Sequence, residues 1–174
     1  MKTNSILEKI STILDNFFKE DSITKLQELT EGMVIDFVCD KKSYLSFSFD
    51  KQLPANDFPK GLFPFFNRGE AKVTSFCDYI IFTEEKNKLF ILLIELKKGR
   101  SNTTKQLEAG KCFSEFLVAT LNRVYGVNIN PEIRKISVRE THVKPKQKQK
   151  PIKYNSDGFH TFCNSKFWLK KYLI

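Results

Sequence analysis

The chain has 174 residues, of which 41% are hydrophobic and 28% charged, and it contains 17 Phe. This length suits one domain with a buried core, and this composition excludes wholesale disorder. The formal net charge of +9 indicates attraction to a polyanion, although solubility is an alternative reason for it.

Cysteine use and apolar runs bear on the compartment. The four cysteines are scattered and form no C-x-x-C pair, which favours a reducing environment. Residues 1–19 lack the apolar region of a signal peptide, and the longest apolar run, residues 89–94, is too short to span a bilayer. We therefore expect a soluble, cytoplasmic protein without membrane contact.

The first part of the chain predicts helices and then strands. Apolar residues at helical spacing predict an amphipathic helix over residues 6–18 and a second, short one over 23–29. Residues 33–39 and 44–49 are β-rich and flank a turn-like segment, so they predict a hairpin. Residues 52–69 carry three prolines and several Phe, which is typical of an irregular lid or packed loop.

The second part begins with the strongest strand candidates. Residues 72–82 and 88–97 are joined by a polar stretch, and the second is apolar on both faces, as a central strand is. A helix is predicted over 103–125, ending near Gly126, and a further strand over 133–138.

These elements predict an α/β fold. We expect a mixed central β-sheet of about four or five strands flanked by the first and last helices. The chain reads as a single domain over residues 1–174, with a core over about 1–140. The extension 141–174 contains a basic run over 144–153 and an aromatic tail that packs against the core.

Glu95 and Lys97 end the most hydrophobic strand, and their spacing directs both side chains to one face of the sheet. Burying a carboxylate costs several kcal/mol unless it is paired or binds a metal. A salt bridge between the two residues and a metal site are therefore alternative explanations.

Asp78 favours the metal site. A hairpin folded symmetrically about Glu85 and Lys86 sets Asp78 opposite Leu93, on the face of Glu95 and one diagonal step away. Two carboxylates, together with the adjacent backbone carbonyl of Leu96 as a third oxygen ligand, suit Mg²⁺ or Mn²⁺. Such an ion activates water and neutralises charge on a phosphodiester, while Lys97 could orient or deprotonate that water.

The pattern Cys77-Asp78, then Glu95-Leu96-Lys97 at the end of a buried strand, then a helix, resembles the PD-(D/E)xK nuclease superfamily. The resemblance covers about residues 72–122 and implies a restriction-endonuclease-like core. It also implies metal binding and hydrolysis by Asp78, Glu95 and Lys97. Cys77 replaces the proline that names the motif.

The resemblance implies further site residues. Gln106 matches a helical glutamine of the superfamily, although Gly110 replaces a tyrosine often found four residues later. Gln106 equally fits a capping box with Thr103. A further acidic residue is expected from the first helix or the segment before Asp78, and the candidates are Glu8, Glu28, Glu31 and Glu70.

Basic residues after the motif are candidates for binding phosphates: Lys98, Arg100, Lys105 and Lys111. The basic run 144–153 suits a flexible phosphate-binding arm, and a charged surface loop is its alternative.

Three functions remain open. The preferred one is a DNA endonuclease for restriction, phage defence or a mobile element, acting as a homodimer or with an operon-encoded partner. The second is a catalytically inactive nucleic-acid-binding module on the same fold. The third is an interaction protein whose aromatic segment, residues 58–66, docks onto a partner.

Overall fold

The computed structural model describes residues 5–40, 44–49, 51–58, 61–67, 69–70, 73–99, 101–140 and 151–174. The helices within these residues are α1 (Ile6–Ile13) and α2 (Thr104–Tyr125), with short 3-10 helices over Asn16–Phe18 and Leu169–Tyr172. The strands are β1 (Lys19–Glu20), β2 (Lys25–Glu28), β3 (Met33–Val38), β4 (Tyr44–Phe47), β5 (Tyr79–Glu85), β6 (Lys88–Lys97), β7 (Glu132–Arg139), β8 (Phe159–Phe162) and β9 (Lys166–Trp168).

The strands form two sheets. The larger has the order β1-β4-β5-β6-β7-β8, in which the neighbours among β1, β4, β5 and β6 pair antiparallel and β7 and β8 run parallel to β6. The smaller has the order β2-β3-β9, with β2 and β3 antiparallel and β9 parallel to β3. The mixed α/β class is confirmed, while the main sheet is larger than predicted and the second sheet was not predicted.

Strand β6 lies at the centre because its side chains alternate between two apolar layers. Leu92, Ile94 and Leu96 belong to a cluster with the smaller sheet. Ile91 and Leu93 belong to a second cluster, formed with α1 and α2. Glu95 and Lys97 continue the row of Ile91 and Leu93, so they emerge on the helical side of the sheet.

Two early predictions are wrong. Residues 33–39 and 44–49 do not form a hairpin, because β3 pairs with β2 and β9 whereas β4 pairs with β1 and β5. Residues 23–29 contain strand β2 and not a helix. In β2 only Leu26 is fully buried, between exposed neighbours, and pairing with β3 overrides the weak local helical pattern.

The first helix is shorter than predicted. It ends at Ile13, and the 3-10 helix that follows begins where the Asp15 carboxylate accepts the N–H of Phe17 at 2.8 Å. Capping of this kind starts a new turn and interrupts the longer helix.

One later prediction needs correction: the strand predicted over residues 72–82 is β5, Tyr79–Glu85, which begins later and extends into the stretch predicted as a connection. Three other predictions are confirmed. Helix α2 ends at Gly126, which has the left-handed φ of 62° typical of a helix C-terminus. Strand β7 occurs as expected, and the aromatic tail is buried through Phe167, Leu169 and Tyr172. Most of the basic run, residues 144–150, lies outside the described residues.

None of the helices in the described part of the chain is long and apolar enough to cross a membrane.

Candidate active site

The β5–β6 hairpin brings Asp78 to Glu95. Its two-residue turn, Lys86 and Asn87, has φ values of 49° and 63°, and the ladder runs from Glu85 with Lys88 to Tyr79 with Ile94. The next pair in this register is Asp78 with Glu95. The predicted register was wrong, since Ile80 and not Asp78 lies opposite Leu93. The discrepancy is two residues, so Asp78 stays on the predicted face.

The carboxylate of Asp78 is held at the end of β6. Its Oδ2 accepts the backbone N–H of Leu96 at 2.6 Å. Because β5 begins only at Tyr79, this side chain takes the place of a strand carbonyl for that N–H. Asp78 and Glu95 are 8% and 2% exposed, so two carboxylates are buried at adjacent positions. That arrangement requires nearby positive charge.

Lys97 supplies part of that charge. Its Nζ lies 3.7 Å from Oε1 of Glu95 and 2.9 Å from Oε1 of Glu31. The other oxygen of Glu31 accepts the backbone N–H of Lys98 at 2.5 Å. Glu31 comes from the turn between β2 and β3, so the smaller sheet contributes a carboxylate to the end of β6.

The protonation of Lys97 follows from these contacts. Its hydrogen bond with Glu31 raises the pKa of Lys97, burial opposes this rise, and the charges of Glu95, Glu31 and Asp78 add to it. Burial alone would raise the pKa of Glu31, but hydrogen bonds from Lys98 and Lys97 and the charge of Arg139 lower it. Lys97 is therefore a cation near neutral pH, suited to stabilising negative charge and poorly suited to removing a proton.

The two buried carboxylates also affect the pKa of the neighbouring Cys77. Burial raises the pKa of this thiol well above its ordinary value, and the charges of Glu95 and Asp78 raise it further. Cys77 is thus a neutral packing residue beside the site and not a nucleophile.

Cys77 also determines how closely α2 approaches the sheet. A Cβ atom added at Gly110 would lie 2.6 Å from Sγ of Cys77 and 3.4 Å from Cδ2 of Leu93. Glycine is therefore required for this packing, which explains why a tyrosine cannot occupy this position beside Cys77. Cys77 and Gly110 are therefore neighbours across the packing of α2 on the sheet.

Gln106 lies half-buried in the first turn of α2. The capping box is not formed, because the side chain of Thr103 makes no capping hydrogen bond. Oδ1 of Asn102 instead accepts the N–H of Thr104 at 2.7 Å. The capping explanation for Gln106 is therefore wrong, and its active-site role stays a prediction, as does the role of the Leu96 carbonyl.

The candidate phosphate-binding residues are dispersed. Lys98 is exposed beside Glu31, and Lys105 is exposed on the first turn of α2. Lys111, six residues further along the helix, pairs with Glu115 at 3.5 Å. Arg100 lies outside the described residues.

Of the four acidic candidates, all within the described residues, only Glu31 contacts a residue of the candidate site. Glu8 belongs to the capping box of α1, Glu28 accepts the N–H of Thr30, and Glu70 is exposed. Glu31 contacts Lys97 and is the acidic residue that the fold adds to Asp78 and Glu95.

Two residues of β7 were missed by sequence reasoning. Ser137 pairs in register with Glu95 and is fully buried, and Arg139 pairs with Lys97. Arg139 donates to the carbonyl of Gly99 at 3.2 Å. The available signal was that parallel strands end at one edge of a sheet, so the end of β7 had to lie beside Glu95-Leu96-Lys97.

The described residues contain no group of three or more His, Cys, Asp or Glu side chains that could hold a metal ion. The site therefore offers a pair of buried carboxylates beside a lysine.

Comparison of the chain with protein-family models, with curated proteins and with solved structures found no match, so the geometry of the site is the basis for its function.

Proposed function

We propose that the protein is a metal-dependent nuclease of the PD-(D/E)xK type that hydrolyses phosphodiester bonds of DNA. The observation that carries this proposal is the convergence of Asp78, Glu95 and Lys97 at the end of β6. The element order supports a restriction-endonuclease-like core: α1, the antiparallel β4, β5 and β6, then α2 and the parallel β7.

The donor set fits a hard divalent cation. Mg²⁺ is commonly bound through one or two carboxylates and keeps several waters, so Asp78 and Glu95 with the Leu96 carbonyl suffice. When bound, Mg²⁺ or Mn²⁺ would lower the pKa of a bound water and neutralise charge on the phosphate.

The chain's own residues have separate roles. Asp78 and Glu95 would hold the cation, and the N–H of Leu96 fixes the carboxylate of Asp78. Lys97, kept protonated by Glu31, stabilises the negative charge that develops on the phosphate. Gln106 would orient the attacking water from the start of α2.

The setting we propose is restriction, phage defence or a mobile element, in the cytoplasm. The four cysteines, all within the described part of the chain, form no disulfide, which fits a reducing compartment. One site per chain favours a homodimer or a partner subunit for cutting both strands. Lys98, Arg100, Lys105 and Lys111 would bind the flanking phosphates.

The ion pairs support a second candidate, a catalytically inactive nucleic-acid-binding module. Lys97 already contacts Glu31 and Glu95, and Asp78 already holds a backbone N–H. Such contacts can be structural, and a structural cluster needs no cation.

Cleavage of supercoiled plasmid and of single-stranded DNA with Mg²⁺ or Mn²⁺ tests the nuclease. We expect Asp78→Ala and Glu95→Ala each to lower the rate at least about a hundredfold, since each removes a proposed cation ligand. The matched control is Glu85→Ala, which removes a carboxylate from the opposite end of the same hairpin and should cut normally.

Metal-dependent stability separates the two candidates. A bound cation raises the Tm of the wild type, and Glu95→Ala should lose that rise. If metal changes neither Tm nor cutting, while all variants bind DNA with the same salt dependence, the inactive module is the correct function.

A further inference from the structure

The segment between β4 and β5 carries aromatic rings to the surface near the candidate site. Phe65 and Phe66 are 75% and 45% exposed, and their ring centroids lie 4.7 Å apart. Isolated exposed apolar residues are common on proteins, but two adjacent exposed rings form a patch that indicates a binding surface.

These exposed rings pack on other aromatic rings of the protein. Phe63 contacts both, with centroid distances of 6.1 Å to Phe65 and 5.8 Å to Phe66. Phe63 in turn stacks on the buried Phe76 at 6.0 Å, and Phe76 contacts Phe113 of α2 at 5.3 Å. The exposed pair is therefore connected to the hydrophobic core through successive ring contacts.

The ring contacts that support Phe65 and Phe66 also lie close to the proposed site. Phe76 precedes Asp78 by two residues, so these Cα atoms lie at most about 7.6 Å apart. A nucleic-acid strand with a phosphate at the candidate site would reach Phe65 and Phe66 within a few nucleotides.

Charge favours a nucleic-acid occupant. The chain carries a net charge of +9, and Lys97, Lys98 and Arg139 lie at the end of the same sheet. The sequence around the pair also includes Lys60, Arg68 and Lys72 against one nearby acid, Glu70. Aromatic rings beside positive charge are the features by which proteins bind single strands, with bases stacked on the rings and phosphates held by cations.

We propose that Phe65 and Phe66 form a base-stacking platform that makes unpaired, single-stranded nucleic acid the preferred substrate of the neighbouring site. The bases of a duplex are stacked on one another and hide their faces, whereas unpaired bases expose them. This inference rests on the proposed nuclease function and adds the class of substrate to it.

Binding without cleavage tests the platform. Fluorescence anisotropy in EDTA would compare labelled oligothymidine with a hairpin duplex of equal length. We expect Phe65→Ala/Phe66→Ala to weaken single-strand binding about tenfold or more and duplex binding less than about twofold. The matched control is Phe116→Ala, which removes a 70% exposed ring of α2 that lies outside this ring cluster and should change neither affinity.

Two further variants isolate stacking from general apolar contact. Phe65→Leu/Phe66→Leu keeps apolar surface without rings and should bind single strands as weakly as the alanine variant. Phe65→Trp should keep the affinity, and its emission should be quenched by oligothymidine beyond any change from Trp168, the other tryptophan. The substituted side chains are exposed, so unchanged Tm values are expected throughout.

Three binding results would overturn the platform: equal losses of affinity for single strands and duplexes, no loss for either, or a leucine variant that binds single strands normally. A smaller oligomer in the alanine variant, with single-strand binding intact, would assign the rings to a protein interface. Cutting of single-stranded DNA that depends on Glu95 but not on Phe65 and Phe66 would refute the platform and leave the nuclease intact. A protein that neither binds nor cuts would refute the nuclease as well.

Discussion

Gly110→Ala tests how α2 is seated over the candidate site. The new Cβ would lie 2.6 Å from Sγ of Cys77, about 1 Å inside an ordinary contact. Cys77 is fully buried, and its Sγ donates to the carbonyl of Tyr79 at 3.6 Å, so it has little room to move. The helix or the segment leading to Asp78 must shift.

The expected magnitude combines opposing effects. Overpacking of a core costs about 1–3 kcal/mol, and this contact belongs at the upper end. Alanine in a helix interior gains about 1 kcal/mol over glycine. Gly110→Ala should therefore lower the free energy of unfolding by about 2 kcal/mol, or the Tm by roughly 4–8 °C for a chain of this size.

A double-mutant cycle isolates the contact. In a Cys77→Ala background Sγ is absent and the new Cβ would next meet Cδ2 of Leu93 at 3.4 Å, so Gly110→Ala should stabilise the protein by about 1 kcal/mol. Urea unfolding of the four proteins would then give a coupling energy of about 3 kcal/mol. An increase in stability on Gly110→Ala in the wild type would refute this reasoning.

Three other substitutions have expected changes in stability that the same assay would measure. Because the pKa of Glu31 is lowered in the folded protein, its stabilisation is present above the ordinary value of 4.5 and is lost as pH falls through the lower folded value. Glu31→Gln should therefore cost about 1 kcal/mol near pH 7 and progressively less as the pH falls below 4.5, and a cost that does not change over this range would contradict the ion pair with Lys97. Asn102→Ala should cost about 1 kcal/mol because its side chain caps the N–H of Thr104. Thr103→Val should be neutral or stabilising, since the buried hydroxyl of Thr103 has no hydrogen-bond partner among the described residues; a larger loss for Thr103→Val than for Asn102→Ala would show that this hydroxyl is used.

Local pattern determined the central part of the protein. The continuous apolar run ending in Glu95 and Lys97 defines β6, because a strand buried on both faces needs apolar residues at every position. The stripe ending at Gly126 defines α2, since helical period and a left-handed C-terminal glycine are both local. The shared face of Asp78 and Glu95 also followed from the sequence, because side-chain direction depends only on the parity of the register.

The exact register depended on the turn. The hairpin was predicted to turn about Glu85 and Lys86, whereas Lys86 and Asn87 form it. Asn87 was the available signal, because asparagine tolerates the positive φ of a two-residue hairpin turn.

Only the tertiary structure decided how distant segments meet. Glu31 reaches Lys97 because β2 and β3 form their own sheet against β6, and the preceding sequence contains four plausible acids that local patterns cannot distinguish. Arg139 reaches the same edge because β7 pairs parallel to β6. Likewise, β3 pairs with β9 near the other end of the chain and not with the neighbouring β4. Sequence periodicity specifies which face of an element is buried, whereas the choice of partner depends on packing among segments far apart in the chain.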